Sequence, residues 1–187
     1  MAIRYNHNDI YSMYFCSFTC YKWIPLFKYC NAADIIYNWF KVLKEKYKTD
    51  VVAYVIMPNH LHCILYFAET GFNLNKIISN GKRFMAYEII KRLKEKESND
   101  ILHVLAENLT EREKKKGQLH KVFTNSFDAK PIYSDKFLQQ KLDYIHHNPI
   151  SGKWNLVNDF TDYEHSSASF YEIGDIKHFT PLHYKDI

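Results

Sequence analysis

Two histidines, His60 and His62, stand one residue apart inside the otherwise apolar run VIMPNHLHCILYF at residues 55–67. On an extended strand, side chains two apart share a face, so both imidazoles project to one side while Leu61 and Cys63 project to the other. Two neighbouring imidazoles can chelate one divalent cation. They hold magnesium or manganese weakly unless oxygen donors join them. An HxH pair is short and common, and on its own it more often marks packing or surface histidines.

An oxygen donor is therefore the next thing to look for. The segment SDKFLQQKLDYIHHNP at 134–149 carries Tyr144 and Asn148 four residues apart, on one face if the segment is helical. The alternative is a core tyrosine and an amide that caps the helix end. His146 and His147 share that face less well and read as surface or partner-facing residues. His103, His120, His165, His178 and His183 lack a partner at chelating spacing and read as incidental. Tyr133, Tyr163, Tyr171 and Tyr184 are positioned by no motif.

These residues need a scaffold. Residues 13–21 are rich in aromatic and β-forming types and predict a first strand; 51–57 and 61–67 predict a hairpin broken at Pro58 and Asn59. Between them Ile35, Ile36, Trp39, Phe40, Leu43 and Tyr47 recur at helical spacing behind Asn31 as N-cap. Leu74, Ile77, Ile78, Met85, Ile89 and Leu93 predict a long second helix in which Gly81 marks a possible bend. Residues 99–117 read as a short peripheral helix capped by Asp100, an insertion; KVFTNSF at 121–127 reads as a fourth strand. Residues 134–148 form a strong helix capped by Ser134 and closed by Pro149. The order predicts an α+β fold, an antiparallel sheet with helices packed on one face.

Three stretches go beyond generic patterning: VIMPNHLHCIL, LDYIHHNP with the following SGKWNLV, and DYEHSSASFY at 162–171. In this order they resemble the REP-associated tyrosine transposases, a branch of the single-tyrosine HUH (IS200-like) transposases, over residues 14 to about 171. The resemblance implies a ferredoxin-like HUH domain spanning 1–187, with 99–117 as a helical insertion. It implies His60, His62 and Asn148 as ligands of Mg2+ or Mn2+, and Tyr144 as the nucleophile on a scissile phosphate of single-stranded, hairpin-forming DNA. It also implies transfer through a covalent phosphotyrosine, by a monomer or homodimer. Phenols titrate near pH ~10, so such a nucleophile needs help from a cation or base. The alternative function is a domesticated DNA-hairpin-binding protein without cleavage; a third is a phosphoesterase that uses water.

Composition agrees with this class without demanding it. The 187 residues suit one core, and 47% apolar with 17% aromatic residues excludes wholesale disorder. No apolar run approaches the ~20 residues of a membrane span. The first twenty residues lack a secretory pattern, so the expected location is cytoplasmic, and four cysteines without CxxC spacing read as buried thiols. A net charge of +4 permits an anionic partner. The basic runs at 91–96 and 112–116 read chiefly as solvated helix faces, and Lys82, Arg83, Lys91 and Arg92 are the candidate DNA contacts.

Overall fold

The computed structural model describes residues 11–107 and 109–187; the part of the leader reading that falls on residues 1–10 lies outside them. Four strands, β1 (Met13–Thr19), β2 (Thr49–Ile56), β3 (His60–Phe67) and β4 (Asp128–Pro131), form an antiparallel sheet in the order β2-β3-β1-β4. A single turn α1 (Leu26–Tyr29) precedes helix α2 (Ala33–Tyr47), and α3 (Leu74–Glu95) follows the hairpin. Then come α4 (Asn99–Glu107), α5 (Glu111–Lys115), α6 (Asp135–His147) and α7 (Ala168–Ile173). This is the expected α+β, ferredoxin-like arrangement.

The sheet has two buried faces, because inward positions alternate along each strand. On one, Tyr14, Cys16, Phe18, Tyr54, Leu61, Cys63 and Leu65 pack against α2 and α3 through Ile36, Phe40, Leu43, Ile78, Met85 and Ile89. The expectation of helices on one face holds for this pair. On the other face Phe15, Val52, Val55, Met57 and Ile64 pack against Leu138, Leu142 and Ile145 of α6, so that face is covered too. The histidine pair lies on the α6 side, next to these residues. The C-terminal segment closes the β2 edge: Ile56 N–H donates to His165 O at 2.8 Å, Ser167 N–H to Tyr54 O at 2.9 Å and Leu182 N–H to Val51 O at 2.9 Å. An otherwise open edge is thereby blocked from pairing elsewhere.

Several local expectations change. Asn31 does not cap α2; it sits in a left-handed conformation (φ 47°) that links α1 to a helix beginning at Ala33. Asp100 lies inside the first turn of α4, and the segment 99–117 holds two helices rather than one. Gly81 does not bend α3, which is continuous; a Cβ there would collide with the indole of Trp39, so its missing side chain permits close helix packing. The strand expected at 121–127 is reduced to one bridge, Cys20 to Phe123, and β4 forms instead at Asp128–Pro131. Phe123 is buried against Phe18, so the apolar residues of that stretch fill the core rather than extend the sheet. The four cysteines are free and buried, as expected. Among the described residues no helix is long and apolar enough to cross a membrane.

Candidate active site

His60 and His62 begin β3 and lie in the sheet interior, where His62 pairs across to Ser17 of β1 and Val55 of β2. Their rings are 4.7 Å apart, both side chains buried. Burial removes water from the imidazolium forms and pulls the pKa of His60 down to about 4. For His62 burial acts first, and His60 and the Lys141 ammonium add to it, giving about 3. Both rings are neutral at physiological pH and keep a lone pair each.

The tautomer of His60 is fixed by a relay. Trp23 O can only accept, so the amide nitrogen of Asn59 donates to it at 2.8 Å; this turns Asn59 Oδ1 toward His60 Nδ1 at 2.7 Å. Nδ1 therefore carries the proton and Nε2 the lone pair, the arrangement by which outer hydrogen bonds orient a metal ligand.

Helix α6 brings the other residues. Ser134 Oγ accepts from Phe137 N–H at 3.3 Å to start the helix, and Leu138, Leu142 and Ile145 bury one stripe against the sheet. The adjacent stripe carries Lys141, Tyr144 and Asn148. Tyr144 leans against the histidine pair with its ring centroid 5.1 Å from that of His62 and 6.0 Å from Phe15, yet remains 47% exposed. Asn148 starts the 3-10 turn Asn148–Ile150 just past α6 and is buried. His62 Nδ1 and Asn148 Oδ1 are sealed from solvent with no hydrogen-bond partner among the described residues. Buried polar atoms are ordinarily satisfied, so this pair of orphans beside two neutral imidazoles fits a small divalent cation.

The rival residues are occupied elsewhere. His146 is not at the surface: it is buried, its Nε2 3.0 Å from Ser167 Oγ, and burial lowers its pKa to about 4. His147 turns back on Asp143 and packs on Phe160, with ring centroids 4.1 Å apart. Tyr163 donates to Ile56 O and Tyr171 to Val52 O, at 2.9 and 2.8 Å, which ties both hydroxyls to the β2 backbone. Tyr133 is exposed but stacks on Phe137. Lys82, Arg83, Lys91 and Arg92 all lie on α3, across the sheet from Tyr144. Lys82 Nζ donates to Thr124 O and Ser126 O, and Arg92 pairs with Asp34 and Glu88, so both are engaged within the chain.

Sequence reasoning missed neighbours of the site. Lys141 holds its ammonium 5.5 Å from the Tyr144 ring and 4.8 Å from Phe15; its spacing of three from Tyr144 on a helix was the available signal. Trp23 is 58% exposed with its indole 5.9 Å from His60, and Trp154 lies on the same histidine at 5.8 Å. Lys22 and Trp23 both have positive φ, 51° and 59°, a strained pair that presents the indole beside the site. No periodicity announces such a turn.

No protein-family profile and no curated protein matches the chain. Among solved structures, a putative transposase from Deinococcus radiodurans is similar at 12% identity over 78% of this chain and 92% of its own, with a TM-score of 0.45. A REP-associated tyrosine transposase solved bound to a REP hairpin is similar at 17% identity, covering 97% of this chain and 95% of its own, with a TM-score of 0.60. The likeness extends over nearly the whole of both chains, and the fold of this protein is that of the REP-associated tyrosine transposase.

Proposed function

We propose that the chain is one HUH transposase-like domain that nicks and rejoins single-stranded, hairpin-forming DNA through Tyr144. The observation that carries this reading is the meeting of an exposed phenol with two buried, neutral imidazoles and the orphaned Asn148 Oδ1. The hairpin bound by the similar transposase supports the substrate class. His60 Nε2, an imidazole nitrogen of His62 and Asn148 Oδ1 would hold Mg2+ or Mn2+, which when bound neutralises phosphate charge and polarises the scissile bond.

The chain's own residues do the rest. Tyr144 Oη forms a bond to phosphorus as the P–O3′ bond breaks; the phenol gives up its proton, and O3′ takes one to leave as a hydroxyl. The phosphotyrosine keeps the energy of the diester, and attack by a 3′ hydroxyl reverses the step without ATP. Lys141 lies close enough to stabilise charge on the phenolate and the phosphate. Trp23 offers its indole face to an unpaired base next to the scissile phosphate.

The test is incubation with hairpin oligonucleotides carrying single-stranded flanks, with Mg2+, Mn2+ or EDTA. A protein-linked DNA band that survives denaturation, needs the cation and disappears in His60→Ala/His62→Ala supports the proposal. Tight hairpin binding with no adduct in either metal would instead establish the non-cleaving binder, and turnover without a linked product the phosphoesterase.

A further inference from the structure

Outside the site just described, the C-terminal segment gathers Glu164, His165 and His178, which offer one donor atom each within 4.8 Å of one another. The two histidines read from sequence as incidental are thus brought together by the fold. Their rings lie 5.4 Å apart, and His178 Nε2 is 2.8 Å from Glu164 Oε1.

Two buried tyrosines stand behind them. Phe179 O can only accept, so the Tyr54 hydroxyl donates to it at 3.4 Å. The Tyr37 hydroxyl lies 3.1 Å from His165 Nδ1 and holds that ring in place. A ligating histidine is ordinarily oriented by such a bond to its other nitrogen.

We infer that Glu164, His165 and His178 form a second metal site, selective for a borderline divalent cation of the zinc kind. Two imidazoles and one carboxylate are a zinc donor set, and a tetrahedral ion with bonds of ~2.0–2.1 Å leaves its fourth position to water. Donors on such an ion stand roughly 3.4 Å apart, so closing the site takes rotations of about 1 Å in Glu164 and His178, both at the surface. The cation replaces the proton that His178 Nε2 shares with Glu164. It ties together the two ends of the segment 164–178, which carries Ser167. Ser167 Oγ contacts both His146 of α6 and Tyr54 of β2, so the ion braces the support behind the Tyr144 helix. This site is independent of the proposed cleavage chemistry.

The experiment uses the full chain stripped with chelator and titrated with Zn2+, then with Co2+ as a spectroscopic probe. In a His60→Ala/His62→Ala background one equivalent of zinc is expected to remain, excess Mg2+ not to displace it, and cobalt to give visible bands of a low-coordinate ion. Adding Glu164→Gln and His178→Asn should abolish both. If the background variant does not fold, the wild type carrying only the last two substitutions should lose one zinc equivalent. No zinc bound in the background variant, or zinc binding unchanged by Glu164→Gln and His178→Asn, overturns the inference.

Discussion

The ring of Tyr144 stands 5.1 Å from the ring of His62, one at the exposed end of α6 and the other buried in the central strand β3. Neither element creates this meeting alone. The strand fixes the imidazoles by its two-residue period, α6 fixes the phenol by its own apolar stripe, and the sheet face on which they pack makes them neighbours. The account therefore predicts different consequences for residues that line the site and residues that hold the fold.

Trp23→Ala should weaken binding of a hairpin with a single-stranded flank by roughly 5- to 150-fold, since stacking on an aromatic is worth ~1–3 kcal/mol per base. Thermal stability should hold, because the indole is exposed. Fluorescence anisotropy with flanked and blunt hairpins checks it; equal losses on both would deny a role in binding the unpaired flank.

Lys141→Met should slow adduct formation by on the order of 10- to 100-fold while leaving hairpin affinity within a few-fold, because the ammonium beside Tyr144 is placed to act on charge that develops during the reaction. Single-turnover rates at saturating protein make the comparison. An unchanged rate would reduce Lys141 to a packing residue over Phe15 and Phe137.

Gly81→Val should destabilise the fold by about 2–3 kcal/mol or more, since any side chain there drives into Trp39 at the α2–α3 contact. Urea denaturation reads this directly. The effect belongs to the face opposite Tyr144, so the protein that remains folded should still form adduct.

Lys82 gives the fold a pH dependence. Burial pulls its pKa from 10.5 down to about 8. Between those values the unfolded chain holds a proton that the folded chain has lost, so raising the pH favours folding. The stability of the wild type relative to Lys82→Met should rise by about 1–2 kcal/mol between about pH 8 and about pH 9.5. Parallel stability curves for the two proteins would show that the hydrogen bonds to Thr124 O and Ser126 O and the faces of Phe18 and Phe123 keep Lys82 charged in that range.

What could be read from sequence follows the regular periods. Alternation put His60 and His62 on one face, and the helical repeat put Tyr144 and Asn148 together, because both relations are local. The relay from Trp23 through Asn59 to His60 is not periodic: it depends on a turn with two positive φ angles and could only be seen in three dimensions. The fourth strand was misplaced for a related reason. DAKP has little strand character, and it pairs because β1 offers an open edge there, while the more β-like KVFTNSF gives Val122 and Phe123 to the core. His146 looked exposed by its polarity; Ser167, distant in sequence, supplies the partner that lets it be buried. Glu164, His165 and His178 likewise meet only because the chain folds back after α7.

The central claim is that Tyr144 becomes linked to DNA. Wild type and Tyr144→Phe are incubated with a cleavable flanked hairpin and Mn2+, binding is verified for both, and the digested protein is analysed by mass spectrometry. The account predicts a nucleotide-bearing peptide that contains Tyr144 in the wild type, and none in Tyr144→Phe despite retained binding. A DNA-linked peptide from Tyr144→Phe, or a linkage mapped to another tyrosine in the wild type, would contradict it.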